Sequence, residues 1–120
     1  MGRESVKIQT REEGGCQVVT IHGSADIGAS GALRKTLLGA VESGATRIVC
    51  DLSGADFICS DALGILIVAY LKAQSRGGFV RLAGPRGHLL EILETTRLNH
   101  LFDVFPDVAS AAASEQAAGA

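Results

Sequence analysis

Asp56, Cys59, Ser60 and Asp61 fall together in the stretch Asp56-Phe57-Ile58-Cys59-Ser60-Asp61-Ala62-Leu63-Gly64, where a polar loop runs into a long apolar segment. The apolar segment predicts a helix that starts near Ser60. A serine there is a preferred N-cap, because its oxygen accepts an orphan backbone N–H. The same position is a good seat for a phosphate, since free N–H groups and the helix dipole both favour negative charge. A phosphoryl group on Ser60 would add about −1.5 to −2 charges at neutral pH, next to Asp56 and Asp61. An interface built on a nearly neutral apolar surface would then face a cluster of negative charge. Local physics alone favours the plain cap.

The other chemistry-bearing residues form no catalytic or metal-binding pattern. His22, His88 and His100 each stand alone, without His-x-x-x-His or His-Glu-x-x-His spacing. No serine sits in a Gly-x-Ser-x-Gly elbow, and there is no P-loop. Gly28-Ala29-Ser30-Gly31 is only a fragment of a dinucleotide loop and reads as a flexible lead into a helix. A triad assembled in space stays open, because triads are recognised by geometry. Cys59 or Ser60 could act as a nucleophile, but no base stands beside either one. Arg86 and His88, after Gly84-Pro85, could hold an anion at the start of a third helix. A solvated turn is the simpler reading. No catalytic residue, metal or cofactor is expected.

Cys16, Cys50 and Cys59 are odd in number and lack Cys-x-x-Cys spacing. They read as free thiols in a reducing cytosol. The 120 residues suit one domain, and 47% apolar with 20% charged residues is enough to bury a core without staples. With no Trp and 4% aromatic residues, that core must be Leu, Ile, Val and Ala. A net charge of −2 leaves no footprint for nucleic acid or anionic membrane. The polar N-terminus does not read as a signal peptide. Met1-Gly2 opens like a myristoylation signal, but Val6 holds the required Ser/Thr position. Ala62 to Leu71 is too short to span a bilayer. The expectation is a cytoplasmic domain.

The elements that must position Ser60 follow from periodicity. Val6 to Thr10 alternates as a strand, Glu12 to Gly15 turns, and Cys16 to His22 is a second strand, giving an antiparallel hairpin. Gly23 to Gly28 reads as a loop. Ser30 is the expected cap of a helix carrying Leu33, Leu37, Ala40 and Val41, ended by Gly44. Arg47 to Leu52 is a strand and Ser53 to Phe57 a loop. In the helix from Ser60, the residues Leu63, Leu66, Ile67, Tyr70 and Leu71 make one buried face. Gly77-Gly78 stops it, and Phe79 to Ala83 is a strand. Leu89, Ile92 and Leu93 suggest a third helix, and Leu98, Leu101, Phe102, Val104 and Phe105 continue an apolar stripe to Pro106. The order β-β-α-β-α-β-α-α predicts a single α/β domain over residues 1–108. Its mixed sheet has an initial hairpin plus parallel strands, with packed helices. Residues 109–120 read as an Ala-rich tail with little function.

Four pieces of this chain resemble a known family. Phe57 to Gly64 is similar to the Phe-Ile/Met-Asp-Ser-Ser-Gly-Leu-Gly signature of STAS-domain anti-sigma-factor antagonists. Gly77 to Leu82 resembles their Gly-Gly strand, Leu89 to Phe105 their last helical segment, and Thr20 to Asp26 their Gly-Glu-x-Asp loop. The resemblance covers residues 6 to 108. It implies the family's mixed sheet, no enzymatic activity, and a role in partner switching that regulates transcription. The partner would be an anti-sigma factor with serine kinase activity. Phosphorylation of Ser60 would abolish binding and a phosphatase would restore it. A homodimer is left open. The resemblance implies partner contacts at Asp26, Cys59, Ser60, Asp61, Leu63, Gly64, Ile65 and Val68. Ile65 and Val68 lie off the buried stripe, which suits a docking face or equally partial burial. Cys59 stands where the family has Asp, Asp61 where it has Ser, Ala62 where it has Gly, Ser24 where it has Glu, and Arg97 where it has Gly. Asp61 sets a fixed charge beside the site. These departures leave open an alternative, a STAS scaffold or sensor subunit that is never phosphorylated.

Overall fold

In the computed structural model, which describes residues 6–113, two glycines set the first turn. Gly14 and Gly15 take φ values of 60° and 81°, the left-handed pair that a two-residue type I′ hairpin requires. This turn closes β1 (Lys7–Glu13) onto β2 (Cys16–Ala25), with Glu13 opposite Cys16. The remaining strands are β3 (Arg47–Asp51), β4 (Ala55–Ile58), β5 (Phe79–Ala83) and β6 (Val104–Phe105). The sheet order is β1-β2-β3-β5-β6, with β4 paired to β2. Only β1–β2 is antiparallel; every other pair is parallel. The helices are α1 (Ser30–Glu42), α2 (Ser60–Ser75), α3 (Gly87–Thr95), α4 (Leu98–Leu101) and α5 (Val108–Ala113), with a 3-10 turn at Ile27–Ala29.

The inner strands are apolar on both faces, as a covered parallel sheet demands. Val19, Ile21, Ile48, Cys50, Val80 and Leu82 point to one core with Leu33, Leu37 and Val41 of α1, Ala62, Leu66 and Ala69 of α2, and Leu89 and Leu93 of α3. Each large aliphatic side chain buried there is worth roughly 1.5–3 kcal/mol. The alternate residues Cys16, Val18, Val49, Phe79 and Ala83 form a second core beneath Val108, Ala111 and Ala112 of α5. Arg81 lies on that same face, 1% exposed. Its guanidinium sits 3.7 Å from the centroid of Phe79, and its Nη1 donates to the Ala111 carbonyl at 2.7 Å.

Several sequence expectations change. Most of the expected Ser53–Phe57 loop is taken up by β4, which runs on to Ile58, and β2 runs on to Ala25 instead of ending at His22. The apolar stripe after Leu93 divides between a short helix and a strand. Arg97 takes a left-handed conformation at φ 63°, which breaks the helix and leaves a short α4 and the strand β6. A side chain in that conformation costs about 1–2 kcal/mol, which a glycine would avoid. The boundary at residue 108 cuts into α5, so Ala111 and Ala112 belong to the core and not to a tail. The rest of the tail, residues 114–120, lies outside the described residues, as does Met1-Gly2.

Two predictions follow from the packing. A Cβ on Gly78 would lie 1.8 Å from the Thr46 carbonyl oxygen, which itself accepts the Phe79 N–H at 2.7 Å. Gly78→Ala is expected to cost at least ~2 kcal/mol, read as a lower urea midpoint with an unchanged slope. Burial, and then the neighbouring Asp51, push the Cys50 thiol from 9.0 up to about 12. Above pH 9 the unfolded chain gives up a thiol proton that the folded chain keeps. Stability is therefore lost as pH rises from 9 towards 12, by up to about 1.4 kcal/mol per unit from this group. Between pH 8 and pH 10 the urea midpoint should fall further in the native protein than in Cys50→Ala; equal falls would contradict the assignment.

Candidate functional site

The candidate site is assembled by the parallel pairing of the end of β2 with β4. Gly23 lies opposite Ala55, Ser24 opposite Phe57 and Ala25 opposite Ile58, with a register shift between Gly23 and Ser24. The Cys59 N–H then donates to the Ala25 carbonyl at 2.9 Å. Two loops thus leave the sheet side by side, one into α1 and one into α2.

In the first loop, Asp26 caps the 3-10 turn. Its Oδ1 accepts the Gly28 N–H at 3.0 Å, and its carbonyl accepts the Ala29 N–H at 2.9 Å. Ser30, the expected cap of α1, is instead its first helical residue, and Ala29 precedes it without a side-chain cap. The Ser30 side chain is buried, with its Oγ 4.0 Å from the Cys59 Sγ. This contact ties the start of α1 to the start of α2.

The second loop also corrects the sequence reading. Cys59, and not Ser60, is the N-cap of α2. It holds the extended conformation that a cap needs, and its Sγ accepts the Ala62 N–H at 3.4 Å. The thiol sulfur is a weak acceptor, so Cys59 substitutes for the usual oxygen cap with a softer one. Ser60 is the first helical residue, and its hydroxyl is exposed and forms no hydrogen bond among the described residues. Asp61 is exposed in the first helical turn, where the dipole favours an anion.

Along α2, Ser60, Asp61, Val68, Leu71 and Lys72 are exposed and Gly64 is half-buried. Leu63 and Ile65 are buried, at 8% and 2% exposure. The burial of Leu63 agrees with its place in the predicted stripe, and Ile65 takes the partial-burial alternative, so neither offers the surface contact that the family resemblance implies. Leu71 was expected in the buried face and is 55% exposed. The cause is that α2 packs on α1 as well as on the sheet, so its buried arc runs through Ala62, Leu63, Ile65, Leu66, Ala69 and Ala73. The feature that periodicity could not reveal is Ile27, 73% exposed at the tip of the first loop. Its only sequence signal is a single large apolar residue among Ser, Asp, Gly and Ala.

The isolated histidines are partly gathered. His22, Arg86 and His88 line a cavity of about 530 Å³ together with Asp56. Ser53, at the same cavity, donates its hydroxyl to Asp51 at 2.8 Å. His88 Nδ1 lies 3.6 Å from Glu91, and His100 is elsewhere, on α4. No Ser–His or Cys–His hydrogen bond and no metal-binding cluster occurs among the described residues. No helix among them is long and apolar enough to cross a membrane.

The STAS domain family profile matches residues 7–111. The chain belongs to the STAS domain family. Its solved neighbours agree with the fold derived above. An anti-sigma factor antagonist from Mycobacterium paratuberculosis is 26% identical, with a TM-score of 0.80 over 89% of this chain and 91% of that one. An anti-sigma-factor antagonist (STAS) domain protein from Planctomyces limnophilus is 18% identical, with a TM-score of 0.78 over 88% of this chain and 93% of that one. The Bacillus cell fate determinant SpoIIAA in its phosphorylated form is 18% identical, with a TM-score of 0.66 over 82% of this chain and 90% of that one. No curated protein matches the sequence. The STAS domain here therefore resembles anti-sigma factor antagonists along nearly its whole length.

Its three thiols should differ in reactivity. Cys16 and Cys50 are buried and Cys59 is half-buried. Iodoacetamide at neutral pH is expected to label Cys59 first, with Cys16 and Cys50 labelled only after unfolding. Peptide mapping by mass spectrometry reads this directly. Early labelling of Cys16 would show that α5 does not cover the second core in solution.

Proposed function

We propose that this STAS domain is an anti-sigma-factor antagonist, a protein-binding switch and not an enzyme. It binds an anti-sigma factor that has serine kinase activity, and phosphorylation of Ser60 turns binding off. The observation that carries the proposal is the Ser60 hydroxyl: exposed, free of hydrogen bonds and at the first position of α2, in a chain 26% identical to an anti-sigma factor antagonist. Because Cys59 has taken the capping role, Ser60 can accept a phosphoryl group without unravelling the helix start.

The contact surface in this reading consists of Asp26, Ser60, Asp61, Gly64 and Val68, while Cys59 acts from beneath as the cap. A kinase must bring the terminal phosphate of its nucleotide up to Ser60 to modify it. After transfer, the phosphoserine and Asp61 face the nucleotide anions left on the partner. The added dianion must also shed its hydration on docking, which is costly without a paired cation. Both effects oppose rebinding, and a phosphatase resets the switch. In this reading the protein works in the cytoplasm and regulates transcription by exchange of partners.

A constitutive scaffold is the second reading. The observation that favours it is the exposed Asp61 beside Ser60, a fixed charge that imitates part of the modification.

Phosphosite mapping on protein from its own host, followed by binding assays, separates the two. Phosphate on Ser60, with binding kept in Ser60→Ala and weakened at least ~tenfold, about 1.4 kcal/mol, in Ser60→Asp, is the expected result. Equal binding by both variants would remove the charge switch. A Ser60 that is unmodified under all growth and stress conditions would favour the scaffold.

A further inference from the structure

β1 forms one open edge of the sheet. β2 pairs with its inner side, and among the described residues no strand pairs with its outer side. The strand contains no proline, and its register with β2 runs without a shift from Lys7 to Glu13. Natural edges are commonly blunted by a bulge, a proline or a covering segment. The direction of the free backbone groups follows from the turn. Glu13 and Cys16 are the outer residues of the Gly14–Gly15 turn, so they bond to each other. Bonded and non-bonded pairs alternate along an antiparallel ladder. Lys7, Gln9 and Arg11 therefore bond to β2 as Glu13 does, while Ile8, Thr10 and Glu12 turn their backbone N–H and C=O groups outward.

The side chains on this edge carry both signs. Lys7 stands at one end and Glu12 and Glu13 at the other. Arg11 is engaged within its own chain, by Glu13 Oε1 at 3.1 Å and by the Thr20 hydroxyl at 3.2 Å. A strand charged in this way is complementary to itself when turned end for end. Centred on Thr10, an antiparallel pair of β1 strands sets Lys7 opposite Glu13, Ile8 opposite Glu12, Gln9 opposite Arg11 and Thr10 opposite Thr10. Opposite charges and threonines that face each other across strands attract. The neighbouring registers lack this match. Centred on Gln9, Lys7 faces Arg11; centred on Arg11, that residue faces its own copy. Outside the sheet, α1 is the helix that touches β1, and its exposed Arg34, Lys35 and Glu42 are again of both signs.

We propose that two copies of this chain pair through the outer edge of β1, antiparallel about a two-fold axis at Thr10. The sheet then runs on from one molecule into the other. Ile8, Thr10 and Glu12 of each copy bond to Glu12, Thr10 and Ile8 of the other. Such a contact is isologous and closes at the dimer. The paired stretch ends at Lys7, opposite His22, short of the Asp26 and Ser60 loops, so the contact is independent of the antagonist reading. A pair of edge strands buries less than the ~1,200 Å² of stable interfaces. The dimer is therefore a weak one that forms on concentration.

Sedimentation velocity on the full chain, from ~10 µM to about 1 mM, covers the range of weak association. The native protein should move from monomer towards dimer over this range. Thr10→Pro removes an N–H that faces away from β2, which an edge strand tolerates, and sets its ring on the two-fold axis. It should abolish the dimer and keep a melting temperature close to native. Lys7→Glu and Glu13→Lys should each weaken the dimer at least ~fivefold, because like charges then meet at both ends of the pair. Mixed together, these two variants should pair again, since the altered positions meet with opposite signs; a misfolded variant could not be rescued in this way. If Thr10→Pro unfolds, the charge variants decide alone. A native protein that stays monomeric throughout overturns the interface, and so does a dimer whose affinity survives Thr10→Pro unchanged. Folded charge variants that fail to pair when mixed refute the register centred on Thr10.

Discussion

The structure depends on one short stretch of parallel pairing. β2 is shared: its first half pairs with β3, and its last three residues pair with β4, with a register shift between Gly23 and Ser24. Without that pairing the Asp26 loop and the Ser60 loop would leave the sheet separately. With the pairing in place, the Ala25 carbonyl receives the Cys59 N–H, and the two helix starts stand together. A parallel pair cannot be closed by a tight turn and needs a long crossover. Here α1 and β3 supply that crossover, so the site depends on the whole first half of the fold.

A division of roles between adjacent residues follows. In a helix start, one residue must be extended to cap the free N–H groups and the next must be helical. Cys59 takes the first role and Ser60 the second. A thiol makes a weaker cap than a carboxylate or hydroxyl, and the Ser30 hydroxyl near the same sulfur gives α1 and α2 a common anchor. The result is a serine exposed in position and free in its hydrogen bonding, as a modifiable residue must be.

The opposite face of the sheet follows a different logic. It is covered by one short helix of small residues, and a helix of six residues is not stable alone. The buried Arg81 compensates. Its guanidinium carbon sits over the Phe79 ring, 5.4 Å from the Phe105 centroid, and its Nη1 holds the Ala111 carbonyl. Arginine suits this site because its plane stacks on aromatic rings while its edge still donates hydrogen bonds. The second core thus combines an Ala-rich cover with a charged side chain that alternation alone would count as polar.

Periodicity and turn chemistry in the sequence determined the hairpin, the strands at Arg47 and Phe79, the main helices and the α/β class, because these follow from contacts within a few residues. The motif around Ser60 was likewise legible, since its residue types and spacing are local. Tertiary structure decided what depends on neighbours distant in the chain. β4 is four residues long with two exposed, so it reads as a loop until β2 pairs with it. β6 has two residues and no pattern of its own. Burial of Ile65 and exposure of Leu71 depend on where α1 lies across α2. The cap passed from Ser60 to Cys59 because the ladder to Ala25 extends the chain through residue 59. Exposure of Ile27 is visible only once the turn that carries it has been placed. Local pattern identifies elements, but which face of an element meets solvent is set by what the rest of the chain lays against it.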